Sequence, residues 1–125
     1  MRALIIDDSQ DTREMLIEYF RLLGLEAIGA ASARDGIREL DRGNVDVVLL
    51  DLILPGMSGL DFLRVVRGSP TLKSIPVVVA SGKVLRDDTE SKFVREATQG
   101  FFLKPYDVEK VCAHVRLLAA NRNAV

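Results

Sequence analysis

Short, strongly apolar runs alternate five times with longer amphipathic stretches along this sequence, and no other feature constrains the fold as tightly. A run such as Val45–Leu50, apolar and β-branched apart from Asp46, reads as a strand buried on both faces. Helices formed by the intervening stretches would cover those faces, so the pattern predicts a parallel sheet with helices on both sides. At 125 residues, 48% of them apolar, the chain is the size of one compact domain with one core, taken as residues 1–125.

Ala3–Ile6 is the first predicted strand. Ser9 or Asp11 is placed to cap a helix carrying Met15, Leu16, Tyr19, Phe20, Leu22 and Leu23 at helical spacing, which Gly24 ends. Leu25–Ala30 follows as a strand, and Ser32 with Asp35 resembles a capping box opening a helix through Ile37 and Leu40 to Gly43. After the third strand, Val45–Leu50, a loop broken by Pro55, Gly56 and Gly59 leads to Ser58, the cap of a helix with Leu60, Leu63, Val65 and Val66. Ser69-Pro70 closes that helix, and Ile75–Ser81 is the fourth strand, with Pro76 at its start. A polar stretch from Gly82 to Asp88 precedes a weaker helix with Phe93, Val94 and Ala97. A short strand, Gly100–Leu103, and a helix capped by Asp107 and lined by Val108, Val111, Val115 and Leu118 complete the pattern.

Several function classes fall away. The 17 basic and 18 acidic residues are scattered and sum to −1, so the chain has no electrostatic footprint for direct nucleic-acid binding. Its apolar runs fall far short of the roughly 20 residues of a membrane span. The first residues read as a strand and not as a secretion signal, so a cytoplasmic protein is expected. Cys112 is the only cysteine, which excludes an intramolecular disulfide and a thiolate metal cage. A metal would therefore be held by oxygen. His114, the only histidine, and Cys112 lie in the last amphipathic helix; His114 reads as a helix-surface or packing residue and Cys112 as a small hydrophobe packed against the sheet.

In an open parallel sheet, ligands bind beyond the carboxyl ends of the strands. Four predicted strands run there into polar residues: the first into Asp7 and Asp8, the third into Asp51, the fourth into Ser81 and the fifth into Lys104. Carboxylates packed together repel one another unless a cation sits between them, and Mg²⁺ prefers such an all-oxygen environment, shared with phosphate oxygens. Phosphoryl transfer uses the same parts: a carboxylate to attack, a metal and a lysine to neutralise the phosphoryl oxygens, and a hydroxyl to donate a hydrogen bond. Asp51 is the candidate nucleophile because it alone follows the central apolar strand.

Asp7-Asp8, Asp51 followed by Pro55-Gly56-Met57-Ser58-Gly59, Ser81-Gly82 and Lys104-Pro105 together resemble the receiver domains of two-component signalling, the CheY-like family. The resemblance covers the whole chain, in order and at fitting spacings. It implies a single-domain, doubly wound, flavodoxin-like α/β fold whose five parallel strands take the order 2-1-3-4-5. It implies phosphorylation of Asp51 from a histidine kinase or a histidine phosphotransfer protein, in a reaction dependent on Mg²⁺ or Mn²⁺. Asp8, Asp51 and the backbone carbonyl of Ile53 would bind the ion directly and Asp7 through water. Lys104 would contact the phosphoryl oxygens, and Ser81 would rotate inward to join them, coupled to Phe101 on the fifth strand. Pro105 would follow a cis peptide bond. Output would pass to an unidentified protein through the fourth helix, fifth strand and fifth helix, from a monomer or a phosphorylation-dependent dimer.

The chain departs from the family pattern in places. Ser81 stands where many receivers have threonine, and Phe101, where many have tyrosine, lacks the phenolic hydroxyl. Ile53 cannot steer a water as a polar residue would, which suggests slow self-dephosphorylation and an accepting domain, not an enzyme. Lys83 adds a positive charge near the site; a solvated loop lysine and a partner of the phosphate are equally good readings. Simpler readings also exist: Asp7-Asp8 as helix caps, Asp51 as a turn residue, Lys104 as a surface lysine. A haloacid-dehalogenase-like phosphatase would use the same chemistry, but it places a second acid where Ile53 stands. A flavodoxin-like electron carrier would want a glycine-bearing, hydroxyl-rich loop where Asp7-Asp8-Ser9-Gln10 lies. A receiver-like binding module that is never phosphorylated would have no need of the intact polar set.

Overall fold

The computed structural model describes residues 1–85 and 87–123; Arg86, in the predicted polar stretch, and Ala124 and Val125 lie outside the described residues. Strands β1 (Arg2–Ile6), β2 (Glu26–Ala30), β3 (Val47–Leu50), β4 (Val77–Ser81) and β5 (Gly100–Leu103) alternate with helices α1 (Gln10–Leu22), α2 (Ala33–Asp41), α3 (Gly59–Gly68), α4 (Asp88–Ala97) and α5 (Val108–Asn123). All strand pairs are parallel and the sheet order is β2-β1-β3-β4-β5. This is the expected doubly wound, flavodoxin-like arrangement.

The period-2 geometry of the strands sorts their side chains into two cores. Leu4, Ile6, Val48, Leu50, Val77 and Val79 face α2, α3 and α4, where Leu40, Phe62, Leu63, Val66 and Val94 meet them. Ala3, Ile5, Val47, Leu49, Val78 and Ala80 face α1 and α5, against Leu16, Phe20, Val111, Cys112, Val115 and Ala119. Cys112 is thus a buried small hydrophobe, and burial pushes its thiol up to about 11. His114 is also a packing residue: its Nε2 lies 2.6 Å from the Gln99 carbonyl and its ring meets Phe102 edge-on.

The helix starts follow the sequence closely. Ser9, Ser32 and Ser58 each accept a backbone N–H three residues on. Asp11 lies in the first turn of α1, not at its cap. Asp107 accepts the N–H groups of Glu109 and Lys110 at the start of α5. Only half of the predicted capping box at Ser32 is realised, because the Asp35 carboxylate pairs with Arg38 instead.

Strand starts were less legible. Val45 and Asp46 precede β3, with Asp46 accepting the Arg2 N–H on its carboxylate, and Ile75 and Pro76 precede β4. Pro76 enters the ladder only as an acceptor, from Val48, since it has no N–H to give. Val65, Met15 and Leu22, expected on apolar helix faces, are exposed instead.

The β3–α3 connection folds back tightly on the strand end. A Cβ at Gly59 would lie 2.5 Å from the Leu52 Cα and 2.6 Å from the Asp51 carbonyl oxygen, both backbone atoms that cannot swing away. Gly59→Ala is therefore expected to destabilise the domain by about 1–3 kcal/mol, the usual cost of forcing extra volume into a packed site. Urea unfolding monitored by circular dichroism measures this; an unchanged midpoint would show that the loop relaxes freely.

Candidate phosphoacceptor site

Parallel strands all finish at one edge, and backbone hydrogen bonds carry the ladder one residue past the strand ends. Asp51 N–H donates to the Ile6 carbonyl, Asp7 N–H to Ala30 and Lys104 N–H to Ser81. Asp7, Asp51, Ser81 and Lys104 are thereby fixed side by side, although up to 97 residues separate them. Asp7, Asp51 and Ser81 are the buried polar residues among those described, at 4%, 6% and 0% exposure, while Asp8 is exposed.

Both oxygens of the Asp51 carboxylate accept hydrogen bonds. Oδ1 accepts the Ser81 hydroxyl at 2.6 Å and the Ile53 N–H at 2.9 Å; Oδ2 accepts Lys104 Nζ at 3.0 Å. Lys104 Nζ also reaches Asp7 Oδ2 at 3.3 Å. Asp7 Oδ1 takes the Ser9 N–H, and its carbonyl takes the Arg13 guanidinium. The turn role foreseen for Asp51 is therefore real, through Ile53, but it coexists with the gathering at the site. Asp7 organises the turn before α1, whose cap is Ser9.

Carboxylate oxygens of Asp7, Asp8 and Asp51 all lie within 4.8 Å of one another. At that spacing each pair repels by on the order of 3 kcal/mol at an effective dielectric of about 20. The single ammonium of Lys104 does not balance three carboxylates. An all-oxygen donor set with excess negative charge fits a hard divalent cation such as Mg²⁺ and excludes a soft-metal site.

The Ser81 hydroxyl points at Asp51, and its oxygen also accepts N–H groups from Leu52 and Lys83. A fully buried hydroxyl without these partners would be left unsatisfied, which fixes its rotamer. Phe101 faces outward at 38% exposure, and Ile53 presents its side chain to solvent beside the site. The Lys104–Pro105 peptide is cis, as the resemblance implied. Lys83 pairs with Glu90 of α4 at 3.5 Å, an interaction that nothing in the local sequence pattern signals.

Fold and site together define a single flavodoxin-like domain with an acidic, lysine-bearing cleft at the carboxyl edge of its sheet. The sequence model of the response regulator receiver domain matches residues 3–116. The chain is 32% identical to the chemotaxis protein CheY of Pseudomonas aeruginosa over 112 residues, 87% of this chain and 88% of that protein. It is also 32% identical to the sensory transduction protein RegX3 of Mycobacterium tuberculosis over 116 residues, 91% of this chain but only 48% of RegX3. A response regulator receiver protein from Pseudomonas putida superimposes with a TM-score of 0.85 at 30% identity, covering 93% of this chain and 95% of that one. The chain belongs to the response regulator receiver domain family. It spans nearly the whole of CheY and about half of RegX3.

Partial burial pushes the Lys104 ammonium down, but its hydrogen bond to Asp51 and the charges of Asp51 and Asp7 outweigh this and hold its pKa above the ordinary lysine value. Because the folded value is the higher one, the stability this group contributes is complete at neutral pH and is lost only as pH climbs through that raised value. Asp51→Asn removes the principal partner and is expected to lower the Lys104 pKa. An NMR titration of the lysine side chain reads the change; an identical titration in the variant would exclude Asp51 as that partner.

Proposed function

We propose that residues 1–125 act as one phosphorylation-controlled switch, in which Asp51 accepts a phosphoryl group from the phosphohistidine of a histidine kinase or histidine phosphotransfer protein. The observation that carries this reading is the Asp51 carboxylate itself: buried, held from both sides by Ser81 and Lys104, and flanked by two further carboxylates. A carboxylate oxygen attacks phosphorus, a P–O bond forms as the P–N bond breaks, and the donor imidazole leaves with a proton. Lys104 neutralises charge on the phosphoryl oxygens and holds the carboxylate in place. The Ser81 hydroxyl transfers its hydrogen bond from Asp51 to a phosphoryl oxygen.

Asp8, Asp51 and the backbone carbonyl of Ile53 would hold Mg²⁺ or Mn²⁺, with Asp7 acting through water. The bound ion supplies charge neutralisation for the incoming phosphoryl group. Phe101 turns inward as Ser81 re-pairs, and the altered face of α4, β5 and α5 is read by a downstream protein, or by a second copy in a phosphorylation-dependent dimer. A cytoplasmic setting belongs to this reading, and no helix among the described residues is long and apolar enough to cross a membrane.

Intact-mass spectrometry after incubation with acetyl phosphate and Mg²⁺ is expected to show the gain of one phosphoryl group, abolished by Asp51→Asn and by chelator. Addition that survives Asp51→Asn would remove Asp51 from the role.

The exposed, apolar Ile53 gives an attacking water no hydrogen-bond partner, so the acyl phosphate hydrolyses slowly. Ile53→Asn is expected to shorten its lifetime severalfold in the isolated protein. A lifetime of seconds that the substitution leaves unchanged would contradict this account.

A further inference from the structure

We infer that Lys83 exchanges partners when Asp51 is phosphorylated, leaving the Glu90 carboxylate for the phosphoryl oxygens and so carrying the charge change to the first turn of α4. The inference rests on the reading of Asp51 as phosphoacceptor and names how that event reaches a helix.

Position comes first. The Lys83 N–H donates to Ser81 Oγ at 3.2 Å, and the same hydroxyl donates to Asp51 Oδ1 at 2.6 Å, so two hydrogen bonds separate the Lys83 main chain from the carboxylate. Its side chain reaches α4, with Nζ 3.5 Å from Glu90 Oε1, and the two side chains are 35% and 28% exposed. Glu90 sits in a strongly acidic helix start, beside Asp88 and the capping Asp87. The ion pair therefore bridges the end of β4 and the beginning of α4.

Charge counting gives the direction. Asp7, Asp8 and Asp51 are balanced by Lys104 together with a divalent ion; a phosphoryl group replaces one carboxylate charge with about −2, leaving about one negative charge in excess. Lys104 is already committed to Asp51 and Asp7. A lysine stem has four flexible carbons, enough for Nζ to swing from Glu90 to the cleft. The pair it abandons is a partly exposed one, which shifts an equilibrium by no more than about fivefold, whereas a charge-assisted bond to phosphate oxygens is stronger. Coupling of this kind is reciprocal: to whatever extent Glu90 holds Lys83 away from the phosphoryl group, the phosphoryl group frees Glu90. The first turn of α4 then has three neighbouring acids and one cation fewer, and it loosens or moves.

Mg²⁺-dependent binding of fluoroberyllate, a mimic of the phosphoryl group, tests this by calorimetry on the full chain and two variants. Lys83→Gln is expected to weaken binding about tenfold and Glu90→Gln to tighten it about two- to fivefold, with the double variant resembling Lys83→Gln. Hydrogen exchange of the Thr89, Glu90 and Ser91 amides supplies a second readout. Fluoroberyllate is expected to accelerate it in the wild type; in Lys83→Gln it is fast beforehand, and in either variant it changes little on binding. Wild-type binding with unaltered affinity in Lys83→Gln would overturn the exchange of partners. Absence of Mg²⁺-dependent binding in the wild type itself would instead overturn the reading of Asp51.

Discussion

Three carboxylates within 4.8 Å of one another, faced by a single ammonium, are the interaction around which the rest of this domain is arranged. Such a cluster is unfavourable in isolation, and it persists only because the apolar sheet beneath it fixes the backbone that carries it. β1, β3 and β4 are buried on both faces almost from end to end, so neither Asp7 nor Asp51 is free to move off without disturbing strand pairing. The excess charge makes the edge a chemical fit for a hard cation, and in the proposed function such a cation would ready it for a phosphoryl group.

What the sequence revealed and what it concealed follow from the range of each interaction. β3 and β4 were legible because burial on both faces demands uninterrupted apolar residues, and the helix starts at Ser9, Ser32 and Ser58 because capping is local. The exact strand starts were not. Whether Val45 or Ile75 joins a ladder depends on a partner strand far away, and Asp46, just before β3, meets Arg2 twice, its N–H donating to the Arg2 carbonyl and its carboxylate accepting the Arg2 N–H. The outward turn of Val65 likewise escaped a rule that counts apolar spacing without knowing how wide the covered stripe is.

The site was legible for a topological reason: in a parallel sheet every strand delivers its last residue to the same edge, so Asp7, Asp51, Ser81 and Lys104 could be grouped without knowing a single distance. The individual pairings were not legible. No sequence pattern marks Lys104 as bridging Asp7 and Asp51, Ser81 as already turned toward Asp51, or Glu90 as the partner of Lys83. Arg67 was missed altogether. Its guanidinium donates to the carbonyls of Lys73, Ile75 and Ala97 and to the Gln99 side chain, and only the assembled fold brings those four acceptors together.

Arg67 also shows why a change of charge at one edge need not unsettle the whole domain. At the opposite edge it ties the end of α3 to the last residue of α4, while Gln99 accepts the Val77 N–H and His114 reaches the Gln99 carbonyl. The C-terminal end of α4 is thus bolted to α3, β4 and α5 by several hydrogen bonds, many of them part-buried. Among the described residues, the polar ties of its N-terminal end include the Asp87 cap and the partly exposed Lys83–Glu90 pair, interactions weaker than a buried network. A helix fixed firmly at one end and lightly at the other pivots when the light end is perturbed. Under the proposed exchange of partners, the lightly held end is the one nearest Ser81 and the firm end lies at the opposite edge of the sheet, so the response would stay near Asp51 and leave the core that holds the carboxylates intact.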